Sequence, residues 1–237
     1  MIKEAIQYIV NLANTEIIEL HGQKYSTKSL SHVMEPGPAK IEISTLSGLV
    51  DYIKKVKEEN LIYGPRIIHV VSPTEVKVYT ETMGDMSRDL LVDCEALLPT
   101  VKLNQYIDVE NFIIMLQSSF IDEVGAQSVL KCAGNITVEE VRNFSDDGVS
   151  QQVTGRVGIN KLADIPVPNP VVLKPYRAFI EVEQSASRFV FRLREGKAGM
   201  EAALFEGDGG AWRREAILSV KYWLEEELDG EPVVIIA

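Results

Sequence analysis

The chain has 237 residues, of which 46% are hydrophobic and 25% charged, and its formal net charge is −11. That length can bury a sizeable core in one large domain or two small ones. The acidic balance argues against a general DNA- or RNA-coating role, since such proteins carry a basic footprint, and it leaves room for a local basic patch or a protein partner.

From the N-terminus, Ile2, Ala5, Ile6, Ile9, Val10 and Ala13 recur at helical spacing and predict a helix over 2–13. Glu4 and the lack of a long apolar core speak against a signal peptide. The apolar runs, FIIML among them, are too short to span a bilayer. EIIEL reads as a short strand, and Pro36, Gly37 and Pro38 then break regular structure. AKIEIST alternates as a strand. TLSGLVDYIKKVKEEN is an amphipathic helix with Leu46, Leu49, Val50, Ile53 and Val56 inward. RIIHVV, SPTE and VKVYTET form a hairpin, and DLLVDCEALL reads as a further strand. DVENFIIMLQSSF is a buried helix with Asp108 as its N-cap.

Cys94 and Cys132 are far apart, form no CxxC pair and have no His at ligand spacing, so they are expected to be buried free thiols in a reducing cytoplasm. Past Gly134 the texture turns β-rich. A hairpin is expected around SDDG, with the turn at Asp147-Gly148. DIPVPNPVVLKPY, with four prolines, must be an edge or a crossing loop. YRAFIEVE and RFVFRLRE read as a hairpin in which Glu183 faces Arg188. Ala178, Ile180 and Val182 then share an apolar face with Phe189, Phe191 and Leu193. Glu181, Glu183, Arg188, Arg192 and Arg194 take the other face. MEAALFE, the helix AWRREAILSVKYWLEEEL and PVVIIA read as strand, helix and buried strand, with the two strands parallel. The fold class expected is α+β: mixed, largely antiparallel sheets, a few packed helices and a C-terminal strand–helix–strand unit. The division expected is an α+β half at 1–133 and a β-rich half at 134–237, packed as one unit.

Two places can carry chemistry. The first is the corner GDGG, where Asp208, Gly209 and Gly210 precede a helix that opens with Arg213 and Arg214. A Gly-rich turn at a helix start can hold an anion. GDGG matches neither GxGxxG nor GxxxxGK[ST], and Asp208 puts a negative charge where the anion would sit, so a turn with Asp208 as N-cap is the stronger reading. The second is the arginine stripe Arg188, Arg192 and Arg194, suited to carboxylate or phosphate. His21, His32 and His69 lack metal-ligand spacing, and HExxH and GxSxG are absent. Asp146-Asp147 sits at a turn, where Asp is common without chemistry. No catalytic residue, metal or cofactor is expected.

VENFIIMLQSSF, GNITVEEVRNFSDDGVSQQVTGRVGI, PVVLKPYRAFIEVEQSASRFVFRLREG and ALFEGDGGAWRREAI together resemble the YfdQ-like family of bacteriophage and prophage proteins. The resemblance covers the second half closely and runs more loosely back through STLSGLVDYIKK and RIIHVVSPTEVKVYT. It implies a phage protein made in the bacterial host cytoplasm, of a family without a known function, and it carries over no catalytic residue. The expectation is a non-catalytic accessory protein that binds, as a homo-oligomer, a host protein or a small anionic ligand, for example in counter-defence. The competing readings are a metal-dependent enzyme on nucleotides or nucleic acid using Asp146, Asp147 or Asp208, and an accessory of phage recombination or replication.

Overall fold

Alternation and helical spacing along this chain translate into a mixed α+β fold, described here from a computed structural model for residues 2–14, 16–20, 23–26, 39–56, 64–82, 87–135, 143–146, 151–157, 161–197 and 199–237. These residues divide into two units, Met1–Pro38 and Ala39–Ala237. In the first, α1 (Ile2–Ala13) precedes an antiparallel ladder of β1 (Ile17–Leu20) and β2 (Gln23–Ser26). The apolar residues Ile2, Ile6, Ile9 and Val10 of α1 are exposed.

The second unit runs through β3 (Ile41–Ile43), α2 (Leu46–Lys55), β4 (Arg66–Ser72), β5 (Glu75–Tyr79), β6 (Leu90–Glu95), β7 (Ile107–Asp108), α3 (Val109–Ser119) and α4 (Val124–Gly134). It continues with β8 (Asn143–Asp146), β9 (Gln151–Val157), β10 (Lys161–Pro166), β11 (Val171–Leu173), β12 (Ser187–Gly196), β13 (Gly199–Glu206), α5 (Trp212–Glu227) and β14 (Val233–Ile236). Side chains close the helix starts where the sequence supplies them. The Thr45 hydroxyl accepts from the Gly48 N–H at 3.1 Å ahead of α2. Asp108 accepts from the Asn111 N–H at 2.9 Å ahead of α3, as the Asp108 cap predicts.

Two hydrophobic cores result. One five-stranded sheet has the order β14-β4-β5-β6-β3, with β4, β5 and β6 antiparallel and β14 and β3 added in parallel at the edges. Ile68, Val70, Val76, Val78, Val92 and Cys94 pack against Leu46, Leu49 and Ile53 of α2 and Ala216, Val220 and Leu224 of α5. The second core lies on the four-stranded antiparallel sheet β11-β12-β13-β7. There Phe112 of α3 stacks on Phe191 at 5.4 Å between ring centroids, and Phe120 meets Phe189 edge-on at 6.4 Å. Each side chain of this size contributes about 1.5–3 kcal/mol on burial. A three-stranded antiparallel sheet, β10-β9-β8, forms the hairpin region. Its predicted turn at Asp147-Gly148 lies outside the described residues, as does the Pro36–Gly37–Pro38 break. Pro166 and Pro170 fall at or beside edge strands, as a residue lacking a ladder donor must.

Three expectations are corrected. First, YRAFIEVE is no strand. Residues 174–186 form a strap, in which Ala178, Phe179 and Val182 enter the first core while Ile180 is 73% exposed. The reason is Gln184, whose buried amide accepts from the Arg177 and Ala178 N–H groups and donates to the carbonyls of Ala178, Phe179 and Val182. One side chain thus satisfies the backbone that a sheet ladder would otherwise hold. Arg188 instead pairs in register with Val172 of β11. Second, β13 and β14 are not parallel neighbours. They belong to different sheets, and the parallel partner of β14 is β4. Third, PVVIIA is an edge strand with Val234 and Ile236 exposed, not a buried one.

Candidate functional site

The two-residue period of β12 sets the geometry of the arginine stripe. Phe189, Phe191 and Leu193 turn into the second core, so Arg188, Arg192 and Arg194 take the opposite face together. The structure therefore keeps the predicted stripe and changes its neighbours. Glu181 is drawn away to the start of α2, where its carboxylate accepts from the Ser47 N–H at 3.2 Å and the Ser47 hydroxyl at 3.3 Å. Glu183 pairs with Lys174 at 3.2 Å. In register beside the arginines stand Val172, Ala203 and Glu201. Arg194 donates through Nε to Glu201 at 2.7 Å and lies 3.8 Å above the centre of the Tyr106 ring. Tyr106 in turn meets Phe205 edge-on at 5.7 Å. The Arg188 guanidinium is exposed and has no carboxylate partner among the described residues. Arg192 is half-buried.

The Gly-rich corner folds on itself. Gly209 and Gly210 take φ of 65° and 81°, the left-handed region that glycine enters without strain. Asp208 stands between them and β12. Its carboxylate accepts from the Gly210 N–H at 2.9 Å and from the Ser187 hydroxyl. Burial raises the Asp208 pKa, but these hydrogen bonds and the charge of Arg177 outweigh it and hold the carboxyl below the ordinary aspartate value. Asp208 is not the N-cap expected of it. Ala211 occupies that position and offers no capping side chain, while Asp208 closes the turn before it. Arg213 lies over the Trp212 ring at 4.9 Å.

The sequence reading missed the residue that organises this corner. Arg177 comes from the strap, is 9% exposed, and stacks on Trp212 at 3.7 Å from the ring centre. Its guanidinium pairs with Glu206 at 3.2 Å and donates to Ser187 and to the Ser185 carbonyl. Trp212 Nε1 donates to the same Glu206 carboxylate at 3.2 Å. Burial pulls the Arg177 pKa down to about 10 against the charges of Glu206 and Asp208. Arg177, Ser187, Glu206, Asp208 and Trp212 are thus one interlocked group at the start of α5. No spacing in the sequence announces it, because it joins three separate segments.

Both Asp208 oxygens are engaged by Gly210 and Ser187, Asp146 ends β8, and Asp147 lies outside the described residues. Among the described residues no group of three His, Cys, Asp or Glu comes together in a way that could hold a metal ion. No helix among them is long and apolar enough to cross a membrane. No protein-family model, no curated protein and no solved structure matches this chain.

Proposed function

We propose that this chain is a non-catalytic binding protein, working as a homo-oligomer, whose arginine-bearing sheet face takes an acidic surface of another protein. The observation that carries this reading is the alternation of Arg188, Arg192 and Arg194 on the face of β12 opposite its core, beside Tyr106 and Phe205, in a chain of net charge −11. Along the strand Arg192 and Arg194 stand about 6.8 Å apart and Arg188 and Arg192, with Val190 between them, about 13.6 Å apart, which suits carboxylates spread over a protein surface. Arginine and aromatic side chains together are the chemistry enriched at protein interfaces. A guanidinium left without a carboxylate, as at Arg188, is available for a bidentate contact. The resemblance to phage and prophage proteins supports a host protein as the target and counter-defence or a recombination accessory role as the setting.

The test is a paired capture experiment in bacterial extract. The wild-type chain and the Arg188→Glu/Arg192→Glu variant are crosslinked under identical conditions, with Arg188→Lys/Arg192→Lys as a charge-preserving control. The expected result is a captured acidic protein that is lost on charge reversal, weakened by raised salt, and retained in part by the lysine control. The same capture by wild type and charge-reversed protein would overturn the reading.

A further inference from the structure

We infer that β14 is a self-pairing edge, through which two copies of this chain join their five-stranded sheets around a two-fold axis. This goes beyond the arginine face and rests on different residues. Exposed sheet edges are normally guarded by charge, proline, bulges or very short strands. The edges β3, β11, β10 and β7 of the second unit are guarded in these ways. At β3, Lys40 bridges Glu42 at 3.2 Å and Asp93 at 2.9 Å. β11 has three residues, β10 ends in Pro166, and β7 has two residues. β14 reads Val-Val-Ile-Ile, without charge, proline or bulge, and among the described residues no strand lies on its far side.

The register says which groups are open. The Arg66 N–H bonds to the Pro232 carbonyl at 3.2 Å, and Val233 is paired with Arg66 and Ile235 with Ile68. In a parallel ladder this directs the backbone groups of Val234 and Ile236 toward β4 and those of Val233 and Ile235 away from it. The Val233 N–H is already held by the Glu231 carbonyl at 2.8 Å. Ile235 therefore presents both an N–H and a C=O outward.

A second copy meets this pattern. Placed antiparallel with the two-fold axis at Ile235, each Ile235 exchanges two hydrogen bonds with its counterpart. The same register sets Val234 opposite Ile236 of the other copy, twice. Those are the residues whose side chains stand 47% and 46% exposed on the outer face of the strand, so the apolar surface left open is covered by the pairing that satisfies the backbone. The interface is isologous, as a two-fold dimer requires.

The experiment is sedimentation velocity on the purified chain across a concentration series. Wild type is expected to sediment as a dimer at high concentration. Val234→Lys/Ile236→Lys, which adds edge-guarding charges at exposed positions, is expected to halve the mass with an unchanged circular dichroism spectrum. Ile235→Pro, which removes the outward N–H and leaves the ladder to β4 intact, is the second variant and is expected to do the same. Wild type that stays monomeric at every concentration overturns the inference, and so does a dimer that survives both variants. The Arg188→Glu/Arg192→Glu variant is expected to remain dimeric. A dimer lost there and kept in the β14 variants would place self-association on the arginine face instead, and would also overturn it.

Discussion

Gln151 pairs with Leu193 as a neighbouring strand would: its Nε2 donates to the Leu193 carbonyl at 2.7 Å, and its Oε1 accepts from the Leu193 N–H at 3.0 Å. β11 ends its pairing with β12 before this point, so a single buried amide extends the ladder and fastens the three-stranded sheet to the second core. Gln151→Ala leaves both backbone groups buried and unpaired. The expected loss is about 1–3 kcal/mol, read as a lower urea midpoint with an unchanged slope. Gln151→Asn is too short to span both groups and is expected to recover only part of it.

Asp208 makes part of the stability depend on acid. Its folded pKa is held below the ordinary aspartate value by the hydrogen bonds from Ser187 and Gly210 and the charge of Arg177, against the opposing effect of burial. A depressed carboxylate contributes stability that is complete above the unfolded pKa of about 4 and lost as pH falls through the folded value. Asp208→Asn is therefore expected to cost about 1–2 kcal/mol at neutral pH. Its gap from wild type should close in acid. Thermal unfolding of both proteins at neutral and acidic pH checks the sign.

Gly125 sits where the first turn of α4 touches β11. A Cβ there would press into the carbonyl oxygen of Val172, which is backbone and cannot swing aside. Gly125→Ala is expected to push α4 off the sheet at a cost of about 1–3 kcal/mol, although alanine is the better helix former. A gain in stability by calorimetry would show that α4 packs less closely than this.

The two thiols should be silent in the folded protein. Burial pushes the Cys94 pKa up to about 12, helped by Glu181 and Asp93, and the Cys132 pKa up to about 11. The reactive thiolate is then scarce at mildly alkaline pH. Alkylation of both residues, followed by mass spectrometry, is expected to be slow in buffer and fast in guanidinium. Rapid labelling of either without denaturant would show local opening of its core.

Local signals were legible in the sequence and long-range substitutions were not. The helices at Leu46 and Val109, the Asp108 cap, the β4–β5 hairpin and the alternation of β12 all follow from neighbours within a few positions and stand as expected, except that the first of these helices ends at Lys55 and leaves Val56, expected on its buried side, extended and exposed. α4 lacked a conspicuous stripe because its buried face includes the small residues Ala126, Cys132 and Ala133. The strap at 174–186 looked like a strand because its apolar residues alternate; nothing local shows that the Gln184 amide takes over the backbone bonds. At the site, the shared face of Arg188, Arg192 and Arg194 could be read from period two. Tyr106 could not, since it reaches that face through the pairing of β7 with β13. Arg177 was invisible for the same reason: its partners Ser187, Glu206 and Trp212 come from two other strands and a helix.

The strap has one more consequence. Leu173 lies in the second core, Ala178, Phe179 and Val182 lie in the first, and Phe189 lies in the second again. The chain is thus laced through both, so neither can melt while the other keeps its own inventory of contacts. Heating should melt both cores of the Ala39–Ala237 unit in one calorimetric transition. A lesion in the Phe112–Phe191 stack should be reported by the fluorescence of Trp223, which packs against the opposite core.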